Sequence, residues 1–333
     1  MTVVVTGASG HVGGNLVRAL LEQGRNVRVL VHKDRRAIEG LDVEHVQGDV
    51  RDLDSLESAF QNADVVYHMA VYITLQMDEW PICEAINVEG TRNVVNACLK
   101  TGVGRLIHGS SINAFSQEPR GSIVDESRPL VESEQYPPYD RSKAAAEKEV
   151  QSGIENGLNA VILNITGVIG PYDFRPSNTG KLILDYIHRK VPAVVKGGTD
   201  WVDVRDVTIG AIKAEKCATV GASYLLSGHW IPLYDFGLMV EDVTGIPAPR
   251  IVVPMWVARM GVPFITLYNR LTGNIPRFTT ISLNALESHR SISHAKATRE
   301  LDYRPRPLVE SIIDTVSWFE KAGYINRSVN LSS

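Results

Sequence analysis

A chain of 333 residues with 44% hydrophobic and 22% charged residues can bury a sizeable core, and this composition excludes a disordered protein. Its formal net charge of -4, with both signs mixed along the chain, supplies no basic field for nucleic acid, so a small molecule is the expected partner. The three cysteines, Cys83, Cys98 and Cys217, have no metal-ligand spacing and are read as packing residues in a reducing compartment, with no metal site.

The chain opens on a strand at residues 2–6, without the basic region, long apolar run and cleavage site of a secretion signal, so a cytoplasmic location is expected. Short β-branched runs at 3–6, 27–31, 43–47, 65–68, 106–109 and 161–164 alternate with helical periodicity at 12–22, 53–60, 82–100 and 139–155. Apolar strands without alternation suit a parallel sheet covered on both faces. The expected fold class is therefore α/β: a Rossmann-like doubly wound parallel sheet with right-handed crossovers. Beyond about Pro171 the rhythm loosens, and helices at 234–243 and 256–271 point to a smaller C-terminal substrate lobe. A strand at 223–226 and a helix at 206–217 are positioned to return to the sheet, so the lobe is partly interleaved. The expected division is residues 1–170 with 202–228 for the dinucleotide-binding domain, 171–201 and 229–320 for the substrate lobe, and 321–333 as a tail. The most apolar stretch, 251–268, is interrupted by Pro254, Arg259, Gly261 and Pro263. It reads as a helix of the second lobe, and no membrane partner is expected. Asn164-Ile165-Thr166 and Asn326-Arg327-Ser328 match the glycosylation pattern but lack a secretory context, so both are set aside.

Gly7-Ala8-Ser9-Gly10-His11-Val12-Gly13 follows the first strand and opens the first helix. A pyrophosphate needs a tight turn, backbone N–H groups with no Cβ in the way and the positive end of a helix, and Gly7, Gly10 and Gly13 can meet these needs. At the tip of the second strand stands His32-Lys33-Asp34-Arg35-Arg36, where cations can pair with a ribose 2'-phosphate and no carboxylate occupies the tip itself. NADP(H) is accordingly favoured over NAD(H), with Asp34 on the ribose as the alternative. Asp49, in Gly48-Asp49-Val50, is placed either against the adenine amino group or as a turn-capping residue.

Tyr139 and Lys143 lie four residues apart at the start of a helix introduced by Pro137-Pro138, hence on one face. A phenol with a free pKa of about 10 exchanges protons poorly near neutrality, and a neighbouring ammonium favours its ionised form. The strand at 105–109 ends in Ser110-Ser111 at the carboxyl edge of the sheet, where a hydroxyl can hold a substrate oxygen beside Tyr139.

With glycine loop, strand-end serine and Tyr-Lys pair in this order, the sequence resembles the extended short-chain dehydrogenase/reductase superfamily, nearest to its dihydroflavonol-4-reductase-like and hopanoid-associated sugar epimerase-like branch. Further matching motifs are His68-Met69-Ala70, Asn87-Val88-Glu89-Gly90-Thr91, Gly170-Pro171 and Val202-Asp203-Val204-Arg205-Asp206-Val207, and the likeness runs from Thr2 to about Phe319. The resemblance implies Ser111 as the substrate-orienting hydroxyl, Tyr139 as acid/base, Lys143 as its modulator and Asn87 as support. It implies a cofactor path along Gly7, Ser9, Gly10, His11, Val12, Gly13, His32, Lys33, Arg36, Asp49, Val50, Met69, Ala70, Asn87, Tyr139, Lys143, Asn164 and Thr166. Tyr72, Ile73, Ser111, Asn113, Phe115, Tyr172, Phe174 and Trp201 are candidates for the substrate, the aromatic and apolar ones competing with a packing role. In relatives of this kind the fourth and fifth helices often form a homodimer face. Departures from the pattern are His32 where Arg is frequent, Ile165 where Pro is common, and Asp302 where Gly is usual. Thr199 stands where sugar-nucleotide epimerases carry a diphosphate-binding Arg. The expected activity is reduction of a ketone or aldehyde by hydride transfer; the alternatives are a sugar epimerase or dehydratase, and a non-catalytic dinucleotide sensor.

Overall fold

The computed structural model describes residues 1–272, 279–288 and 290–325, with the helical backbone alone for 266–272. The second glycosylation match, at Asn326, lies outside the described residues, as does most of the proposed tail. The elements are β1 (Thr2–Thr6), α1 (His11–Glu22), β2 (Asn26–Val31), β3 (Glu44–Gln47), α2 (Leu53–Phe60), β4 (Val65–His68), α3 (Trp80–Cys83), α4 (Glu89–Thr101), β5 (Arg105–Ser111), α5 (Pro138–Glu155) and β6 (Ala160–Ile165). There follow β7 (Gly167–Ile169), α6 (Asn178–Ile187), β8 (Val194–Val195), β9 (Gly198–Asp203), α7 (Val204–Cys217), β10 (Ser223–Leu226), β11 (His229–Pro232) and α8 (Leu233–Thr244). Last come β12 (Val252–Val253), α9 (Met255–Thr272), α10 (Thr280–Glu287), α11 (Ala295–Leu301) and α12 (Leu308–Lys321).

Seven parallel strands form the main sheet in the order β10-β6-β5-β4-β1-β2-β3. Alternate residues of one strand feed two cores: Val3 and Val5 pack with Leu16, Leu20, Val207 and Ala211 beneath α1 and α7, whereas Val4 meets Leu56, Phe60, Val94 and Val150 beneath α2, α4 and α5. Burial on both faces is why these strands read as unbroken apolar runs. The strand order reverses between β1 and β4, which opens a crevice at their carboxyl ends.

The helix expected at 82–100 is instead three pieces: α3, a π-helical turn at Glu84–Val88, and α4. One extra residue in that turn sets Asn87 inward, 2% exposed. The smaller lobe is built on the three-stranded sheet β11-β9-β7 and a two-stranded β12-β8 pair, with Ile183, Trp201, Phe236 and Ile312 at its core. Charged residues of the 202–207 segment fasten it. Asp203 caps α7 through the Arg205 amide, Arg205 reaches Asp314 on α12 at 2.6 Å, and the Arg306 guanidinium donates to Asp206 at 2.8 Å. Asp302 ends α11 with a φ of 47°, the left-handed conformation that explains why glycine is usual there.

Trp201, expected at the pocket mouth, is a core residue: it is 4% exposed and stacks on Phe236 with centroids 4.3 Å apart. Phe115 is likewise 3% exposed, packed with Ile112, Val124 and Leu225. Cys83 and Cys98 are buried as packing residues should be, but Cys217 is exposed at the end of α7. Truncating a buried, stacked indole leaves a large cavity. Trp201→Ala is expected to lower stability by roughly 3–5 kcal/mol in urea titration, and a loss within experimental error would show that the ring does not anchor the second core.

Candidate active site

The turn after β1 is shaped by close backbone approach. Gly7 has a φ of 71°, and a Cβ there would lie 2.5 Å from the Ala70 nitrogen; a Cβ on Gly13 would meet the Gly7 carbonyl at 2.2 Å. Gly10 caps α1 without any side-chain hydrogen bond, so the first-turn amides at His11, Val12 and Gly13 remain available to an anion. Ser9, His11 and Val12 are half-buried around this turn. A cradle that a Cβ would fill, open at a helix N-terminus, fits a dinucleotide pyrophosphate. The Nε2 of His11 and the amide of Asn15 both donate to the Pro171 carbonyl at 3.0 Å, tying the loop to the Gly170-Pro171 turn.

At the tip of β2 the cations are not equivalent. Arg36 is committed to Asp34 at 2.6 Å, and this partner holds the Asp34 carboxyl down at about 2. His32 is exposed, its ring 3.4 Å from Asp49, whereas Asp49 is gripped by Arg51 at 2.6 Å and also drawn down to about 2. Asp49 therefore works as the anchor of its own turn. Lys33 is exposed at the rim. Val50 is buried against Gly90, and Asn93 holds its carbonyl at 3.1 Å.

Ser111, Tyr139 and Lys143 converge. The Ser111 hydroxyl accepts the Asn113 amide at 3.2 Å and lies near enough to the Tyr139 phenol to favour its ionised form. Lys143, 3% exposed, donates to the Gly109 carbonyl at 2.8 Å. Burial lowers this ammonium to about 8, opposed by the nearby Glu147. The phenol behaves differently from the sequence expectation: burial pushes Tyr139 up to about 12, with nearby Ser111 only partly opposing it. Desolvation outweighs any field from Lys143, whose proton is aimed at a strand carbonyl, so the phenol is protonated at neutral pH.

Behind these groups runs a buried polar layer that the sequence reading passed over. The Thr91 hydroxyl donates to the Asn87 carbonyl at 2.6 Å, so it receives the Nε2 proton of His68 at 3.0 Å, and the bare Nδ1 of His68 accepts from Thr6 at 2.7 Å. Burial drives His68 down to about 3, so it stays neutral. Asn87 donates to the Ser142 hydroxyl at 2.8 Å and clasps the amide and carbonyl of Tyr72. It holds the loop after β4 against α5 and touches neither Tyr139 nor Lys143 by hydrogen bond. Glu147, one turn beyond Lys143, accepts from the hydroxyl of Ser110 and from Asn164 at 2.5 Å. Its i+4 spacing from Lys143 was a readable signal.

Several expected contacts point elsewhere. Asn164 is fully buried between Glu147 and Ser223, and the Thr166 hydroxyl donates to Asp200 at 2.6 Å, so neither side chain is free for the nucleotide. The Asn113 amide is engaged by Asp140, a carboxyl that burial raises to about 7. Tyr172 lies under the Arg18 guanidinium at 4.4 Å, and Phe174 meets Trp318 edge-on at 5.1 Å, which makes them a seam between α1 and α12. Met69 and Ala70 do flank the glycine loop, and Tyr72 and Ile73 lie on the loop beyond, where Ile73 is 55% exposed and Tyr72 donates to Glu79 at 3.0 Å.

A doubly wound sheet whose glycine turn faces a Ser-Tyr-Lys cluster across the reversal point defines a dinucleotide-dependent enzyme class. Comparison makes this specific. Residues 3–217 match the family model "NAD dependent epimerase/dehydratase family". Sterol demethylase protein B of Methylococcus capsulatus is 33% identical, over 98% of this chain and 100% of the relative. A Synechocystis protein provisionally named dihydroflavonol 4-reductase is 32% identical, over 96% and 95%. Among solved structures, that of gox2253 superposes with a TM-score of 0.86 at 34% identity, covering 98% of this chain and 99% of the other. UDP-glucose 4-epimerase of Thermotoga maritima shares the fold at a TM-score of 0.79 and 17% identity, over 97% and 99%. The chain belongs to the NAD-dependent epimerase/dehydratase family, within the extended short-chain dehydrogenase/reductase superfamily.

The buried Glu147 gives the site a pH signature. Burial raises its folded value to about 7 from 4.5, so between these values the folded state holds a proton that the unfolded chain has released, and stability falls as pH rises. Asp140 contributes with the same sign. Glu147→Gln keeps an oxygen for Ser110 and Asn164 but cannot ionise, so the fall in Tm between about pH 5 and about pH 8 should shrink. An unchanged fall would mean that Glu147 does not titrate in that window.

Proposed function

We propose that this protein is an NADP(H)-dependent carbonyl reductase acting on an apolar ketone or aldehyde. The observation that carries the reading is the placement of Tyr139 one helical turn from the buried Lys143 ammonium at the start of α5, against the strand end that carries Ser111. A reductase needs a proton donor in its resting state. Oxidation of a sugar hydroxyl, with which an epimerase begins, needs a base instead. When bound, the nicotinamide supplies the hydride. Ser111 and Tyr139 hold the substrate oxygen, Tyr139 passes its proton to the developing alkoxide, and Lys143 favours the phenolate left behind. The exposed Val71, Ile73 and Met77, all on the loop after β4, suit an apolar substrate at the cleft rim, and the Synechocystis relative is named as a reductase.

For the cofactor, the exposed Lys33 is a cation not held by Asp34 and, with the ring of His32 beside it, supports a 2'-phosphate; Arg36 can join them by releasing its exposed, weak ion pair with Asp34. In this reading residues 1–170 with 202–228 bind the dinucleotide, and 171–201 with 229–320 select the substrate.

A panel of aldehydes, ketones and nucleotide sugars followed at the NADPH absorbance separates the alternatives: a reductase consumes NADPH stoichiometrically, an epimerase shows no net loss. Tyr139→Phe should lower turnover by roughly 10²–10⁴-fold with NADPH binding nearly unchanged. Unchanged turnover would remove Tyr139 as proton donor. Lys33→Glu should weaken NADPH more than NADH in fluorescence titration; equal effects on both would end the case for phosphate recognition at this tip.

A further inference from the structure

The apolar stretch read from the sequence as a helix of the second lobe turns large apolar side chains outward. On α9, Trp256 is 67% exposed, Met260 65% and Phe264 75%, and their spacing of four residues stacks them in one row along the helix. Ile251 at 63% and Val252 at 43% continue the apolar surface along β12. Single exposed apolar side chains are ordinary, but a contiguous row of large ones marks a surface that is covered in use.

Charge indicates what covers it. The chain carries -4 overall, yet residues 243–265 contain Arg250 and Arg259 and no aspartate, glutamate or lysine. Arg250 and Arg259 flank the apolar row. Each is ion-paired, to Glu241 and Glu287 at 2.7 Å, but both guanidinium side chains are about half exposed, and such pairs exchange readily for another anion. The exposed Lys196 adds a cation beside β12, its amide bonded to the Val253 carbonyl at 2.9 Å. A second copy docked on this face would bring two such cation-bearing surfaces together. Lipid phosphates would pair with them, and acyl chains would take up Trp256, Met260 and Phe264.

We infer that this edge seats the protein on an anionic lipid bilayer, with α9 lying in the headgroup plane and its apolar row facing the acyl region. The attachment is peripheral: among the described residues no helix is long and apolar enough to cross a membrane. The inference is independent of the reaction proposed above.

The full chain should co-sediment with phosphatidylcholine–phosphatidylglycerol vesicles and little with pure phosphatidylcholine, and high salt should weaken the binding. Trp256→Ser/Met260→Ser/Phe264→Ser replaces exposed residues, so the melting temperature should hold while vesicle affinity falls by about tenfold or more. Arg250→Glu/Arg259→Glu should lower binding to the anionic vesicles specifically. Absence of binding to either vesicle overturns the proposal. So does a wild-type dimer in solution that the triple serine variant dissolves, with no vesicle binding, because the row would then be a contact between copies.

Discussion

A buried ammonium at the end of a parallel strand is the constraint around which the rest of the site is arranged. Lys143 is removed from water, and its hydrogen bond to the Gly109 carbonyl is the contact that makes this tolerable. The bond requires α5 to lie against the end of β5. A Cβ at residue 109 would sit 2.7 Å from the sulfur of Met69, so that flexible side chain would have to shift to admit one. Pro137 and Pro138 begin α5 at the right place, which leaves Tyr139 within reach of Ser111 and Glu147 facing Ser110. One ammonium-carbonyl contact thus ties helix placement to the geometry of proton transfer.

The polar layer under this contact keeps it in register. His68, Thr91, Asn87 and Ser142 link β4, α4 and α5 by hydrogen bonds whose donors and acceptors are each assigned, so sliding of α4 against α5 would break several at once. The π-helical turn is what brings Asn87 into that chain. On the far side of the crevice, the Pro171 carbonyl accepts from both His11 and Asn15, which ties the glycine turn to the entrance of the second lobe. The Arg18, Tyr172, Phe174 and Trp318 seam and the Arg205 bridge to α12 fasten the same lobe from outside.

Proton chemistry follows from burial more than from charge. The spacing of Tyr139 and Lys143 suggests a phenol acidified by its neighbour, yet the ammonium donates to a carbonyl and the phenol is half-buried, so desolvation of the phenolate prevails. The result is an acid waiting for a developing negative charge, with a cation one turn away to receive the phenolate.

The strands, the glycine turn, the crevice at the strand ends and the Ser-Tyr-Lys cluster were legible in the sequence, because each depends on local periodicity or on spacing within one element. The strand-end position was enough to bring Ser110-Ser111 to the edge where the site forms, and the resemblance chose Ser111 of the two. Which way a side chain finally points was not legible. Trp201 stacks on Phe236, Thr166 turns to Asp200, Asn164 to Glu147, and Arg36 to Asp34, and in each case but the last the partner is distant in sequence. The outward face of α9 belongs to the same group, for an apolar stripe reads alike whether it meets a sheet or solvent. Short-range order follows from the backbone's own preferences, whereas the choice of partner among many polar and apolar groups is made only when distant segments compete for the same space.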